Sequence, residues 1–326
     1  MGTRKAIDAQ AMGLMTLLCL IWGFQQVAMK ATVAEMAPVL QIALRSGIAA
    51  LLVGLLMALR GERLSLRDGS WRPGLLVGCL FALEFLLVGL GLRLTSASHM
   101  VVFVYTAPIF AALGLHRRLP AERLRALQWA GIALAFSGIL LAFFGGGRAL
   151  AAPGAGSPGT AMIWGDLLGL AAGASWGATT VAVRCSRLAS LPASQTLLYQ
   201  LVGAFVLLSL AAVGFGQTGF RSTPLAWGNL LFQALVVSFA SFLAWFWLLR
   251  NYLASQLGVF SFLTPLFGVG FGVWLLGEPL EPGFVAGAAL VLVGIVLVSG
   301  HAWIGPLFRR ARPPAAAAEP AANSAA

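Results

Sequence analysis

Long apolar runs alternate with short polar breaks along almost the whole chain. Ten runs reach roughly 20 mainly apolar residues, the length that a helix needs to cross the hydrocarbon core of a bilayer. The predicted spans are 11–33, 38–59, 73–93, 97–116, 125–145, 162–183, 194–215, 226–249, 255–276 and 283–303. The pattern therefore predicts an all-α polytopic membrane protein with ten transmembrane helices.

The longest break between apolar runs is rich in Gly, Pro and Ala and divides the chain near its middle. We expect a first five-helix unit at 1–147, a periplasmic linker at 148–160 and a second five-helix unit at 161–304. The last segment, 305–326, has the Ala/Pro-rich composition of a disordered cytoplasmic tail.

Self-comparison indicates that the second unit repeats the first. Trp22-Gly23 matches Trp176-Gly177 at an offset of 154 residues, and Pro108 matches Pro265 at an offset of 157. Further pairs at an offset of 156 are Gly131 with Gly287 and Gly138 with Gly294. Because each unit has an odd number of spans, the second unit would enter the membrane from the opposite side. Inverted repeats of this kind are typical of secondary transporters.

The composition agrees with a membrane protein, and the distribution of basic residues predicts its orientation in the membrane. The chain is 60% hydrophobic and 10% charged, and its mean hydropathy is +0.90. Sixteen of its 21 Lys and Arg residues lie in the termini and in alternate connections, which predicts that both termini are cytoplasmic in a bacterial inner membrane. The net charge of +11 does not indicate nucleic-acid binding, because the basic residues fall in short connections.

The chain contains none of the motifs that identify a hydrolase or a primary pump. HExxH, GxSxG and the GxxxxGK[ST] phosphate loop are absent, and the three histidines are widely separated. The three cysteines lie in apolar runs without CxxC spacing. We therefore expect no catalytic residue, no cofactor and no metal site.

An ordered set of motifs resembles the EamA-type transporters of the drug/metabolite transporter superfamily. The set includes Trp22-Gly23, Arg45, Gly165-Asp166-Leu167 and the stretch Ala254 to Pro265, which continues to Gly277-Glu278-Pro279. The resemblance covers 11–303 and implies ten helices around a central cavity and transport of small metabolites, often export.

Glu84 is the clearest single candidate for chemistry because it lies near the middle of span three. An ionisable side chain at this depth costs a few kcal/mol or more and faces a cavity or a partner. Two interpretations stay open: a group that binds a proton or a substrate amine, or a protonated carboxyl bonded to a neighbouring helix. No cation stands at i±3 or i±4, so its charge must be met from elsewhere.

The other candidates are polar or aromatic side chains inside apolar spans. Trp22, Gln25 and Gln26 share one face of helix one, where the glutamines either line a cavity or join helices. The remaining candidate substrate-binding residues are His99, Phe103, Trp176, Thr180, Tyr199, Ser241 and Trp245. Pro108 and Pro265 would kink helices four and nine.

Several polar residues have competing structural interpretations. His99 is either at a wet cavity mouth or packed and satisfied, and Arg45 either binds an anionic group or snorkels toward the periplasm. Asp166, Glu122 and Glu278 are expected to lie at the positive ends of helices six, five and ten.

The predicted function is secondary transport of a small organic metabolite, an amino acid or a related compound, which is exported across the inner membrane by alternating access. A membrane channel and a non-transporting scaffold are the alternatives. The expected partners are the substrate, the lipid bilayer and, as one candidate coupling ion, protons. The sequence leaves open a monomer or a homodimer and indicates no nucleic acid.

Overall fold

The computed structural model describes residues 8–62, 69–120, 123–144, 158–252, 257 and 260–299. The predicted tail at 305–326, most of the predicted linker, Glu122, and Ala254 and Ser255 of the family motif lie outside the described residues. The helix that corresponds to the sixth predicted span begins at Pro158, inside the range expected for the linker.

The described part of the first half forms six helices. They are α1 (Ala9–Ala31), α2 (Pro38–Leu59), α3 (Trp71–Gly91), α4 (Ala97–Val104), α5 (Ala107–Arg118) and α6 (Ala126–Phe144). The fourth predicted span is therefore divided into two helices, α4 and α5.

The described part of the second half also contains six helices. Its helices are α7 (Pro158–Arg184), α8 (Ala193–Gly214), α9 (Pro224–Leu231), α10 (Phe242–Asn251), α11 (Leu263–Leu276) and α12 (Pro282–Ser299). A π-helix at Phe232–Ser241 joins α9 to α10, and a short 3₁₀ turn at Arg187–Ser190 precedes α8. No strand occurs in the described ranges, so the predicted all-α class is correct there.

Local sequence accounts for the helix ends. The Asp8 side chain accepts a hydrogen bond from the Ala11 amide at 2.9 Å, and Ser96 accepts one from His99 at 3.1 Å, as N-cap residues do. Prolines occupy the first turns of α2 and α9, where no amide hydrogen is needed. Gly277 ends α11 at a φ of 64°, a left-handed conformation that glycine adopts without strain.

Six helical segments are long and apolar enough to cross a membrane by length and composition. They are Ala9–Ala31, Pro38–Leu59, Trp71–Gly91, Ala97–Arg118, Ala193–Gly214 and Pro224–Trp245. Shorter apolar helices occur at Ala126–Ala142, Leu263–Leu276 and Pro282–Val298. Many large apolar side chains, such as Leu51 at 77% exposed and Trp274 at 78%, point outward, as they do in a protein whose solvent is lipid.

Equivalent helices of the two halves pack against each other in opposite directions. Gly131 of α6 lies against Gly294 of α12, and Gly138 lies against Gly287. The numbers rise in one helix as they fall in the other, which identifies antiparallel packing. Val101 and Ser98 of α4 meet Gly268 and Gly272 of α11 in the same reversed order.

Several other contacts between helices come in pairs that are related by exchanging the two halves. Helix α1 packs on α11 while α7 packs on α4 and α5, and α3 packs on α7 while α1 packs on the π-helix. In each of these pairs, replacing every helix by its equivalent in the other half turns one contact into the other. A pseudo-twofold axis relates contacts in this way.

Two ends of the helix bundle are distinguished by their connections. The Lys30 end carries the α1–α2, α3–α4 and α11–α12 connections, because Lys30 bonds to the Leu92 and Thr95 carbonyls and Glu278 bonds to the Ala97 amide. The Glu62 end carries the α2–α3 and α7–α8 connections.

Both predicted kink prolines stand just after a break in a helix. Helix α4 ends at Val104 and α5 begins at Ala107, one residue before Pro108. In the second half, Ser261 and Phe262 form a turn, and α11 begins at Leu263, two residues before Pro265. Because proline has no amide hydrogen, it cannot donate a hydrogen bond to the backbone carbonyl of the preceding turn.

Candidate functional site

Trp22, Ser241 and Trp245 come together between α1 and the π-helix–α10 segment. The Trp22 indole Nε1 donates a hydrogen bond to Ser241 Oγ at 2.8 Å. The Trp22 and Trp245 rings meet edge to face with centroids 5.7 Å apart. Three candidates chosen from different halves of the sequence therefore form one polar and aromatic contact.

A second contact between the halves is built on Arg45. Its Nη1 donates to Gln233 Oε1 at 2.5 Å, and the Gln233 amide in turn donates to the Gln25 carbonyl at 3.0 Å. The guanidinium carbon stands 4.6 Å from the Phe85 ring centroid, a cation–π distance. Arg45 is 2% exposed, so the structure does not support the snorkelling interpretation.

Glu84 lies on α3 directly before Phe85, the residue whose ring packs against the Arg45 guanidinium. Its carboxyl is buried, and Glu84 Oε2 has no hydrogen-bond partner among the described residues. Tyr105, in the turn between α4 and α5, meets Trp176 edge to face at 5.3 Å.

Both glutamines of helix one face the interior of the bundle. Gln25 and Gln26 are buried, and Gln26 Oε1 has no hydrogen-bond partner in the described part of the chain. The Gln25 backbone carbonyl accepts from Gln233, which ties α1 to the π-helix.

His99 and Phe103 belong to a separate group at the Lys30 end. The His99 ring is buried, stacks on Phe284 at 3.7 Å and places Nδ1 2.9 Å from Asp166 Oδ2. The Thr95 hydroxyl donates to the other Asp166 oxygen at 2.5 Å. The group joins α4, α7 and α12, so His99 is a packed and bonded side chain in this structure.

Asp166 and Glu278 do not serve the helices that the sequence suggested. Asp166 lies well inside α7 and pairs with His99 instead of capping its own helix. The Glu278 carboxylate accepts from the Ala97 amide at 2.7 Å, from the Ser98 amide at 2.9 Å and from the Ser98 hydroxyl at 2.6 Å. It therefore caps α4 in the other half. Glu122 lies outside the described residues.

Thr180 and Tyr199 are not brought to either group. The Thr180 hydroxyl donates to the Trp176 carbonyl of its own helix at 3.2 Å. Tyr199 lies against Gly74 and Gly78 of α3, toward the Glu62 end, and its hydroxyl is 3.4 Å from Ser70 Oγ.

Comparison with known proteins decides the family. A sequence profile described as the EamA-like transporter family matches residues 10–144 and again residues 163–300. The chain belongs to the EamA-like transporter family. As an EamA-like protein it is a membrane transporter, and the two matches correspond to the two halves that the internal repeat predicted.

Relatives of this EamA-like chain carry the same general description. Over 279 residues it is 25% identical to the uncharacterized transporter YoaV of Bacillus subtilis, a match that covers 85% of this chain and 92% of YoaV. It is 27% identical over 303 residues to the uncharacterized inner membrane transporter YedA of Escherichia coli, covering 90% and 92% of the two chains. One crystal structure matches with a TM-score of 0.63 and 22% identity, covering 95% of this chain and 100% of that one, which shows a similar fold.

Sequence reasoning about this EamA-like chain missed three residues among the interior polar and aromatic side chains, which we call the central group: Trp22, Gln25, Gln26, Arg45, Glu84, Tyr105, Trp176, Gln233, Ser241 and Trp245. Gln233 and Tyr105 were not selected, and Arg45 was not assigned to the site. The signal was present for Gln233 and Arg45, since a polar side chain deep in an apolar span indicates a partner or a cavity. The π-helix that contains Gln233 and Ser241 has no signal in the sequence, although such segments are frequent at functional sites.

Proposed function

We propose that this protein is a secondary transporter of ten membrane-spanning helices, arranged as two inverted five-helix repeats. It exports a small organic metabolite, an amino acid or a related compound, across the bacterial inner membrane by alternating access. The central group around Trp22, Glu84, Arg45 and Ser241 contacts the substrate.

The antiparallel packing of equivalent helices is the observation that carries this proposal. Helices α6 and α12 occupy the same place in the two repeats, and the Gly131–Gly294 and Gly138–Gly287 contacts run in reverse order. A parallel repeat would place equivalent helices in the same direction. Opposed equivalent helices support inverted repeats, which create two symmetry-related access routes to one site.

Contacts between connecting segments support ten crossings. At the Lys30 end, Arg221 donates its amide to the Glu35 carbonyl at 2.7 Å, and Lys30 Nζ donates to the Leu92 and Thr95 carbonyls at 2.5 and 2.7 Å. At the Glu62 end, Ser194 donates its hydroxyl to Glu62. Each contact joins connections that ten crossings place on the same side. By the distribution of basic residues, the Lys30 end is periplasmic and the Glu62 end cytoplasmic.

The periplasmic end is held closed by polar contacts between the halves, which supports alternating access. Glu278 of the second half caps α4 of the first, and Asp166 of the second half holds His99 of the first. Opening this end requires those bonds to break together. Pro108 and Pro265 mark the broken helices that would move.

Substrate counterflow in proteoliposomes tests the proposal. Purified protein is reconstituted and loaded with one unlabelled metabolite at a time, and uptake of trace labelled metabolite is followed. A secondary transporter gives a transient, saturable accumulation above equilibrium. A channel equilibrates the label without overshoot, and a scaffold gives no uptake above that of empty liposomes, so either result contradicts alternating access.

A further inference from the structure

His99 and Asp166 form a buried pair that joins the two halves of the chain at the Lys30 end. His99 Nδ1 of α4 lies 2.9 Å from Asp166 Oδ2 of α7, and each side chain is 1% exposed. The Thr95 hydroxyl donates to the other Asp166 oxygen, and the His99 ring stacks on Phe284 of α12. Ionisable side chains inside a membrane bundle are costly and are usually functional.

The hydrogen bonds of His99 are incomplete for a residue that only joins helices. Its Nε2 atom is buried and has no hydrogen-bond partner among the described residues. In a neutral ring whose Nδ1 donates to Asp166, this nitrogen is an unpartnered acceptor, and in an imidazolium it is an unpartnered donor. It costs about 1–3 kcal/mol in either state, so the missing bond does not select a protonation state. The net charge of the pair does.

One bound proton makes the pair electrically neutral. Asp166 beside an imidazolium carries no net charge, and a proton placed on Asp166 beside a neutral ring gives the same total. Without that proton, a neutral His99 stands beside a carboxylate, and a full negative charge is buried. A buried charge without compensation costs several kcal/mol, whereas water that enters an open end removes most of that cost. The closed end is therefore stable with the proton bound and unstable without it.

The other charges next to α4 have partners of their own. Lys30 of α1 donates to two backbone carbonyls just after α3, and Glu278 accepts from two amides in the first turn of α4. Each of these charges is met by the end of a helix that carries the opposite partial charge, so the His99–Asp166 pair is balanced by its own proton. The remaining charged residues of the described elements that pack on α4 are Arg93 and Glu281, in connections at this end, and Asp8, Arg72, Glu84 and Arg184, farther along α1, α3 and α7.

We propose that the His99–Asp166 pair binds one proton from the periplasm and that this proton holds the periplasmic end closed. The proton is taken from periplasmic water when the end is open and is retained on the pair when the end closes. Because the closed end needs this proton, raising the periplasmic pH favours opening and lowering it favours closure. This inference rests on the proposed transport function and describes the regulation of its access route.

The opening of the periplasmic end can be measured without a substrate. Spin labels are attached to Arg93→Cys in the α3–α4 connection and to Pro279→Cys in the α11–α12 connection, two exposed positions in different halves. The exposed cysteines Cys79 and Cys185 are first changed to alanine so that they are not labelled. Double electron–electron resonance on the full-length protein in lipid nanodiscs gives the ratio of short to long distances. Between about pH 5.5 and pH 8.5, a range that brackets the ordinary titration of imidazole, this ratio should fall about tenfold or more.

Two variants of the pair should shift this ratio in opposite directions. With Asp166→Asn, a neutral His99 leaves no net charge, so the end should stay closed at the higher pH. With His99→Gln, Asp166 keeps a charge that no imidazole neutralises, so the end should be more open than in the parent protein at the lower pH. A bond with only a structural role would be weakened by both changes, and the closed fraction would fall in both variants.

The same types of change away from the pair serve as matched controls. His116 accepts a hydrogen bond from the Leu124 amide at 3.0 Å, and Glu62 accepts one from Ser194. His116→Gln and Glu62→Gln should both keep the pH response of the parent protein. A control that abolished the response would assign it to another group and overturn the proposal.

A distance ratio that does not change with pH in the parent protein overturns the proposal, and this result needs no variant to fold. A fall of the closed fraction in both variants of the pair also overturns it. Counterflow measured in the same preparation separates the two proposals. Saturable counterflow with a pH-independent ratio leaves transport standing and excludes the proton site, whereas a pH-dependent ratio without counterflow contradicts transport and leaves the proton site standing.

Discussion

At the scale of single residues, the interior of the bundle holds polar groups that are joined across the two halves of the chain. Trp22 meets Ser241 across 219 positions of sequence, and Arg45 meets Gln233 across 188. The two halves are chemically unequal here, because Ser241 stands where the first half has Glu84. At these two equivalent positions, only the first half therefore supplies an ionisable side chain.

The Trp22–Ser241 hydrogen bond should show coupling in a double-mutant cycle. Trp22→Phe keeps most of the ring but removes the donor, and Ser241→Ala removes the acceptor. Each single change should lower the free energy of unfolding by about 1 kcal/mol, and the double variant should lose little more than either one. Thermal or denaturant unfolding in detergent measures this.

An exposed bond of the same type serves as the control for that cycle. Trp227 Nε1 donates to Ser222 Oγ at 3.0 Å on the surface. Trp227→Phe should cost only a few tenths of a kcal/mol or less, because water replaces the lost partner. Strictly additive losses at Trp22 and Ser241 would show that their bond does not contribute.

At the scale of helices, the two halves are joined by the close packing of α6 against α12 and by the capping of α4. Helices α6 and α12 approach so closely at their glycines that a Cβ on Gly138 would lie 2.5 Å from the Gly287 carbonyl oxygen. Helix α4, only 8 residues long, relies on a carboxylate from the other half at its N-terminus. Both features depend on the two halves being folded together.

Gly138→Ala should destabilise the protein although alanine favours helices. The added methyl group cannot fit without separating α6 from α12, so we expect a loss of about 1–3 kcal/mol in the free energy of unfolding. Gly54→Ala in α2 is the matched control, since nothing lies within 4 Å of the position that its added Cβ would take, and it should be neutral or stabilise by up to about 1 kcal/mol. Equal effects at the two sites would show that close packing is not what requires Gly138.

Glu278→Gln should weaken the cap on α4. The amide keeps one acceptor but loses the negative charge that faces the helix N-terminus and three donors. The expected loss is about 1–2 kcal/mol, measured by unfolding in detergent. Glu62→Gln, which weakens a single hydroxyl bond, should lose less. A smaller loss at Glu278 than at Glu62 would contradict the capping role.

At the scale of the whole molecule, the two ends of the bundle differ in charge as well as in contacts. Basic residues concentrate in the connections that the proposed ten crossings place in the cytoplasm. The contacts of the described connections agree with this division.

Reporter fusions test the proposed topology. A fusion after residue 120 should be active with a cytoplasmic reporter and silent with a periplasmic one, because that position follows an even number of proposed crossings. A fusion near residue 154 should behave in the opposite way. Periplasmic activity after residue 120 would refute ten crossings with cytoplasmic termini.

Much of this architecture was available from the sequence alone, because hydropathy, repeat offsets and charge bias are properties of neighbouring residues. The all-α class, the membrane-protein class and the two repeats were correctly predicted in this way, and the family was correctly predicted from the resemblance of its motifs. Trp22, Ser241 and Trp245 were selected from the sequence as polar or aromatic positions inside apolar spans. The structure brings them into contact, and their role in binding substrate stays a prediction.

Tertiary structure alone decided which polar groups meet. Apolar periodicity locates a helix in the membrane but does not identify its neighbours, so nothing in the sequence placed Gln233 or Phe85 beside Arg45. Glu278 was expected to serve the helix that follows it and instead caps α4, because α11 packs against α4. His99 was grouped with the substrate residues by its position in an apolar span, but Asp166 and Phe284, distant in sequence, hold it at the Lys30 end. Contacts of this kind are set by packing between helices far apart in the chain, which no local pattern encodes.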